Sequence, residues 1–290
     1  MPPVQLYVGV GESVIFGALL GMAFALILMS SRIFNFALGA YAAVAALVSV
    51  ELQDSLGVAG AAIAGIGAAA LLSLASEALV FRPIHARYTQ DLELKVVIGF
   101  VALLFALSQG SGWLFGQEFR RARPLIAGDP VRFLDMIITP HALVAAVLTA
   151  LTFVGVAAWL RRSRSGKMFR AVGDSEYAAR QVGIPVERMR MVGFALAGSV
   201  AGLAGVLHAP KAGVSFSSAL GWTLTGFLVL VIGGTGRVAA PVVGGLVLAL
   251  INVLGPYYFG GEYADYLILL CAAVVFMFMP EGLFRTRVRA

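Results

Sequence analysis

The residues of this chain that could do chemistry are few and scattered. Three histidines, His85, His141 and His208, lie far apart on different segments, so their spacing does not suggest a metal site. Each reads as an interfacial or packed residue. The one cysteine, Cys271, sits in an apolar run, which argues against a disulfide framework or a Cys-based metal cluster. Gly166-Lys167 is followed by Met168 and lacks the earlier glycine of a phosphate-binding G-x-x-x-x-G-K-[ST] loop. No Ser/His/Asp constellation stands out, and no catalysis is expected. Polar chemistry remains in two places: an Arg-rich island from Arg161 to Arg190, and the amide of Asn35 at the start of an apolar run.

Both must be held by segments made for lipid. Of 290 residues, 60% are hydrophobic and 12% charged, with a mean hydropathy of +0.92; a soluble domain is about 25% charged. Windows near 20 residues long with few or no charges can cross a hydrocarbon core of about 30 Å. The runs are continuous rather than alternating, which excludes a β-barrel. The fold class is therefore all-α, a polytopic integral membrane protein of about 8–9 transmembrane helices. Helices are expected at 14–31, 36–52, 57–81, 94–116, 138–160, 191–208, 220–232, 239–258 and 264–283. Segments 14–31 and 220–232 are short enough to be broken or re-entrant. With no Lys or Arg before the first apolar run, a cleaved signal peptide is not expected.

If each segment crosses once and the island is cytosolic, 16 of the 21 Lys and Arg residues fall inside and 5 outside. That bias favours an outer amino terminus and a cytosolic carboxyl terminus. The net charge of +6 is accounted for in the same way and does not imply nucleic-acid binding. The outer cluster Arg120, Arg121 and Arg123 is the exception to the bias. Tyr257, Tyr258, Tyr263 and Tyr266 suit an outer interface, and Trp159 an inner one. Glu77 is the only acidic residue clearly inside an expected span, near its cytosolic end. Ion-coupled carriers keep ionisable groups near mid-membrane, so the energy source is expected outside this chain.

Within the island, Asp174 can cap a short helix, and Glu176 suits the positive end of its dipole. Gly183 fits the left-handed position past the helix end, and Pro185 prevents continuation. A helix of about eight residues is too short to be stable alone in water, so it needs a partner surface. Ala178 and Ala179 leave a slim face that could enter a groove; the alternative is a solvated loop helix. Asn35, at membrane depth, must meet backbone, a side chain, water or solute. Gly233, Gly234 and Gly236 permit irregular backbone, either in a tight turn or lining a cavity.

Glu176-Tyr177-Ala178-Ala179, three residues and then Gly183 resemble the EAA loop of bacterial ABC-importer permeases. Arg164-Ser165-Gly166-Lys167, Asn35-Phe36-Ala37-Leu38-Gly39-Ala40, Phe81-Arg82-Pro83, Gly233-Gly234-Thr235-Gly236 and Met279-Pro280-Glu281-Gly282 are similar to runs of the branched-chain amino acid permeases. The likeness follows nearly the whole chain in order and points to the shorter, H-type subunit. Leu38 stands where that family has His.

The resemblance implies one permease domain over 1–290 with a cytosolic coupling loop at 161–190, in a bacterial cytoplasmic (inner) membrane. It implies a second, related permease, two cytosolic ATPases that bind ATP and Mg, and an extracytoplasmic solute-binding protein. The 174–184 helix would couple to an ATPase through Glu176, Ala178, Ala179 and Gly183, with Asp174 and Ile184 at its ends and Arg170 and Arg180 as ionic contacts. Asn35, Phe36, Ala37, Gly39, Gly233, Gly234 and Gly236 would line the solute path. The cargo implied is a branched-chain or related amino acid; the alternatives are urea, short amides or small organic acids, or an ATP-independent channel or carrier.

Overall fold

The computed structural model describes residues 3–88, 91–133, 136–234 and 238–260, with scattered positions between 266 and 277. Among the described residues ten helices run in order: α1 Gln5–Ser31, α2 Leu38–Ser76, α3 Arg82–Arg87, α4 Leu92–Phe115, α5 Pro140–Arg162, α6 Arg164–Asp174, α7 Glu176–Gln181, α8 Val186–Ala212, α9 Ser218–Gly233 and α10 Ala240–Phe259. A π-helical turn, Glu77–Phe81, joins α2 to α3. Among the described residues six helical runs are long and apolar enough to cross a membrane. The all-α expectation holds, with one addition: an antiparallel pair of short strands, Val131–Phe133 and Met136–Ile138, precedes α5.

α2 carries one residue with non-helical backbone, Gly57 (φ 70, ψ 166). The chain reverses there. Residues 45 and 65 of a straight helix would lie about 30 Å apart, yet a Cβ added at Gly65 would strike the Ala45 carbonyl. Only glycine adopts that φ without strain. The two arms, 38–56 and 58–76, correspond to the separate spans expected from sequence.

The first span is longer than expected, starting at Gln5 rather than residue 14. It is one unbroken helix of 27 residues, about 40 Å long. α9 is short, 16 residues or about 24 Å. It forms a hairpin with α10, whose contacts with α1 run antiparallel: Gly21 meets Pro241, Gly17 meets Gly245 and Gly9 meets Val253. Pro241 opens α10 at the level of Gly21, ten residues short of Ser31, so the hairpin turns about 15 Å before α1 ends. The 220–232 segment is therefore a short helix whose hairpin with α10 stops short of the α1 end. The 264–283 helix lies largely outside the described residues.

The core gathers around α1, α8 and the arms of α2. Of the most apolar windows, 67% of α1 and 61% of α8 is buried, against 17% of α4 and 22% of α5, which leaves the latter pair to face lipid or another subunit. Lipid offers helices no hydrophobic incentive to associate, so close packing and interhelical hydrogen bonds must hold them. Gly205 of α8 lies directly on the Ala42 backbone, and Ser73 donates to the Phe194 carbonyl at 2.7 Å.

Charges sort to the two ends. At one end Lys211 pairs with Glu12, Arg120 with Glu51 at 2.7 Å and Arg123 with Asp54 at 2.8 Å. Those acidic partners explain why a basic cluster is tolerated at an end otherwise poor in positive charge. At the other end Arg190 Nε donates to Glu77 at 2.9 Å; the two side chains are 3% and 0% exposed. Arg82 stands 3.3 Å from the second oxygen of Glu77, and Arg190 lies over the Phe81 ring at 4.6 Å. π-turns inside α-helices often mark functional positions, and this one presents Glu77 to α8.

Two outcomes are expected. Gly205→Val should lower the melting temperature of the purified chain in detergent, because overpacking a tight contact costs about 1–3 kcal/mol. Gly67→Val, with open space around it, should not. Glu77→Met should cost about 3–5 kcal/mol by stranding Arg190, and Glu77→Met with Arg190→Met should recover most of that loss. A double variant no more stable than the single one would refute the pairing.

Candidate functional site

The Arg161–Arg190 island folds as two helices, not one. Ser163 caps α6 by accepting from the Gly166 amide at 2.8 Å, and Ser175 caps α7 by accepting from Ala178 at 3.2 Å. The expected cap, Asp174, is instead the last residue of α6. Ser175, at φ −159 and ψ 112, breaks the helix between them, because its extended backbone frees its side chain to cap. α7 ends in a Schellman motif. Gly183 (φ 77) donates to Arg180 at 3.1 Å, and Ile184 donates to Ala179 at 3.0 Å.

The faces of α7 divide sharply. Ala179 is 3% exposed and joins the core, while Ala178 is exposed. The slim Ala-Ala face anticipated from sequence is thus split, one alanine turned inward and one outward. Tyr177 and Val182 are 76% and 75% exposed. Sequence reasoning passed over both, although an aromatic and a branched residue on so polar a helix were visible. Glu176 accepts from Arg180 at 2.6 Å one turn away. Arg170 and Asp174 are exposed, and Ile184 is half-buried.

The island is bolted to the bundle through α6. Arg32, left-handed at φ 56, donates through Nε to the Gly173 carbonyl at 3.1 Å and through Nη2 to the Gly173 and Asp174 carbonyls. It therefore satisfies carbonyls that α6 leaves free at its end. Gly173 packs on the Met29 carbonyl so closely that a Cβ would come within 2.6 Å. Trp159 Nε1 donates to Ser165 at 3.0 Å, tying α5 to the same unit.

The Asn35 segment shows where polar atoms go at membrane depth. Phe36 lies 5.3 Å from Phe227 and 6.5 Å from Phe24, ring to ring, and Phe24 is seven residues before the end of α1. After Arg32 the chain therefore folds back beside α1, and α2 begins alongside α1 rather than beyond its end. Asn35, fully buried, accepts from the Ala37 amide at 2.9 Å and donates to the Tyr41 hydroxyl at 3.4 Å. Thr223 of α9 accepts from the Gly39 amide at 3.1 Å and donates to the Phe36 carbonyl at 3.0 Å. Thr223 was not anticipated, because nothing in the sequence links it to a segment 184 residues away.

Gly233 packs on the Ala240 carbonyl, and Gly234 (φ 86) ends α9. They stand ten residues from Thr223, about 15 Å along the helix. Asn35–Gly39 and Gly233–Gly234 thus meet opposite parts of α9; Gly236 lies outside the described residues. His85 stacks on Phe81 at 5.4 Å, His208 stacks on Phe16 at 3.9 Å, and both nitrogens of His141 face backbone atoms of Leu125 and Leu207.

Known sequences place this bundle of apolar helices in a family. A family model described as the permease component of branched-chain amino acid transport systems matches residues 10–279. The high-affinity branched-chain amino acid transport system permease protein LivH of Salmonella typhimurium is 28% identical over 160 residues, covering 54% of this chain and 51% of that protein. The autoinducer 2 import system permease protein LsrC of Enterobacter sp. strain 638 is 33% identical over 117 residues, 37% of this chain and 34% of that one. The ribose import permease protein RbsC of Escherichia coli K12 is 32% identical over 108 residues, 34% of each chain. The chain spans about half the length, or less, of the curated relatives it matches. With the match running through nearly every helix of the bundle, the chain belongs to the family of permease components of branched-chain amino acid transport systems.

Proposed function

We propose that this chain is the membrane-spanning subunit of an ATP-driven importer of branched-chain or related aliphatic amino acids, with α7 as the element an ATPase grips. The observation that carries this reading is the two-sided character of α7. Its inward residue Ala179 is fixed in the core while Tyr177 and Val182 stand almost fully exposed. Large apolar side chains on a water-facing helix mark a protein contact. The helix is too short to hold its own shape, and the Ser175 cap, the Schellman turn and the α6 seat do so instead.

In this reading a second permease completes the pathway, two cytosolic ATPases supply the work of ATP and Mg, and an extracytoplasmic binding protein delivers the cargo. Arg170, Asp174, Glu176 and Arg180 supply the charged rim of the ATPase contact. The 16-to-5 charge bias supports a cytosolic α7 and an outer amino terminus. Asn35, Phe36, Ala37 and Gly39 shape the path wall through Thr223, and Gly233 and Gly234 end α9 further along the same helix. Relatives that import ribose and autoinducer 2 make a polar, uncharged cargo the competing reading.

Proteoliposomes decide between the machines and the cargoes. Concentrative uptake of leucine is expected only with both ATPases, the binding protein and ATP; flux from this chain alone would establish a channel or carrier instead. A preference for ribose over leucine would replace the cargo. Tyr177→Asp with Val182→Asp should reduce copurification of the ATPase at least about tenfold, with an unchanged melting temperature of the isolated chain. Ala179→Trp should lower that melting temperature itself, since the core around it is filled. Unchanged copurification in the double variant would overturn the contact assigned to α7.

A further inference from the structure

The extension of α1 back to Gln5 brings an acidic residue, Glu12, into the bundle at the end away from α7. There it pairs with Lys211 of α8, and the pair lies on the wall of a cavity of about 700 Å³. That size is within the range of small-molecule sites.

The other polar groups of the cavity are already engaged. Gln5 accepts from the Ile137 amide at 2.8 Å and donates to its carbonyl at 3.1 Å. His141 Nε2 lies 2.9 Å from the Leu207 carbonyl, and its Nδ1 accepts from Leu125 at 3.3 Å. Val8, Ile126, Ile137 and Pro140 make the remaining wall apolar. The cavity thus offers one anionic and one cationic group side by side, facing an aliphatic surface.

Glu12 and Lys211 are 22% and 47% exposed. So accessible a pair adds little to stability, about 0–1 kcal/mol. Its partners can therefore be exchanged for those of a ligand at small cost to the fold. Below it, the stacked rings of Phe16 and His208, 3.9 Å apart and braced by Trp222, stand on the border of a second cavity of about 350 Å³ that Ser13, Thr225 and Asn252 help to line. The stack and the charged pair share one narrow crevice, so the first cavity leads towards the second.

We propose that the Glu12–Lys211 cavity binds an aliphatic α-amino acid, with Glu12 taking the ammonium group, Lys211 the carboxylate and the apolar wall the side chain. The site deepens the importer reading and rests on it for its place in transport. A ligand with both charges and an apolar tail matches all three surfaces; a sugar matches none of the charges.

The test uses the full chain in lipid nanodiscs and saturation-transfer NMR with leucine, isocaproate and isoamylamine. Leucine should give a signal, the two singly charged analogues should bind at least about tenfold more weakly, and Glu12→Gln and Lys211→Met should each weaken leucine by a similar factor. Melting temperatures within a few degrees of the unaltered chain would show that the variants fold. No leucine signal from the unaltered chain, or equal signals in both variants, overturns the site. Uptake by the assembled proteoliposomes is read separately: ATP-independent flux there would overturn the importer while the leucine signal still decided the site.

Discussion

Close contact between backbones, made possible by residues with almost no side chain, is the constraint on which this structure depends. In lipid the exposed and packed faces of a helix are equally apolar, so association must come from van der Waals contact and from hydrogen bonds that reach across. Gly205 on Ala42 and Gly65 on Ala45 bring three helical segments together at one level. Ser73, at its shared border with Phe194, adds a hydrogen bond with few competitors. Without those contacts the reversal at Gly57 would have nothing to fold back onto.

The same economy governs the polar groups. Asn35, Thr223, Glu77 and Arg190 are all buried, and each finds a defined partner. At membrane depth an unpaired amide or charge is costly, so such residues specify a unique arrangement more than they add to its stability. Asn35 and Thr223 together satisfy the Ala37 and Gly39 amides and the Phe36 carbonyl in place of helical hydrogen bonds. That allows α2 to begin alongside α1 rather than beyond its end.

The island is mechanically continuous with this core. α6 is held by Arg32 from α1 and by Trp159 from α5, while α8 begins five residues after α7 ends. Its first turns carry Arg190, and so the ion pair with Glu77. A displacement of α7 would therefore load α1, α5 and α8 together, and through Glu77 the π-turn of the second α2 arm. Stiff elements joined by short, hydrogen-bonded junctions pass on movement that a long, unpaired loop would absorb.

Much of this was legible in the sequence, because the signals were local. Apolar runs of spanning length and the Gly183 stop are properties of neighbouring residues, and the described helices lie close to where those signals put them. The motif order from Asn35 to Gly234 likewise needed no knowledge of packing. Helix starts were less legible. Residues 5–13 mix Gly, Glu and Ser with apolar side chains, and the contacts of Gln5 with Ile137, Gly9 with Val253 and Glu12 with Lys211 draw them into α1. Asp174 and Ser175 are equally good caps by chemistry, and the grip of Arg32 on the carbonyls of Gly173 and Asp174 ends α6 so that Ser175 caps α7. The sequence by itself determined a lipid-embedded helical chain with a capped, polar segment between two apolar runs. Tertiary structure alone decided which face of α7 is free, where the α9–α10 hairpin turns, and which distant charges share a cavity. Those outcomes depend on backbone approach between segments more than a hundred residues apart, which no local pattern encodes.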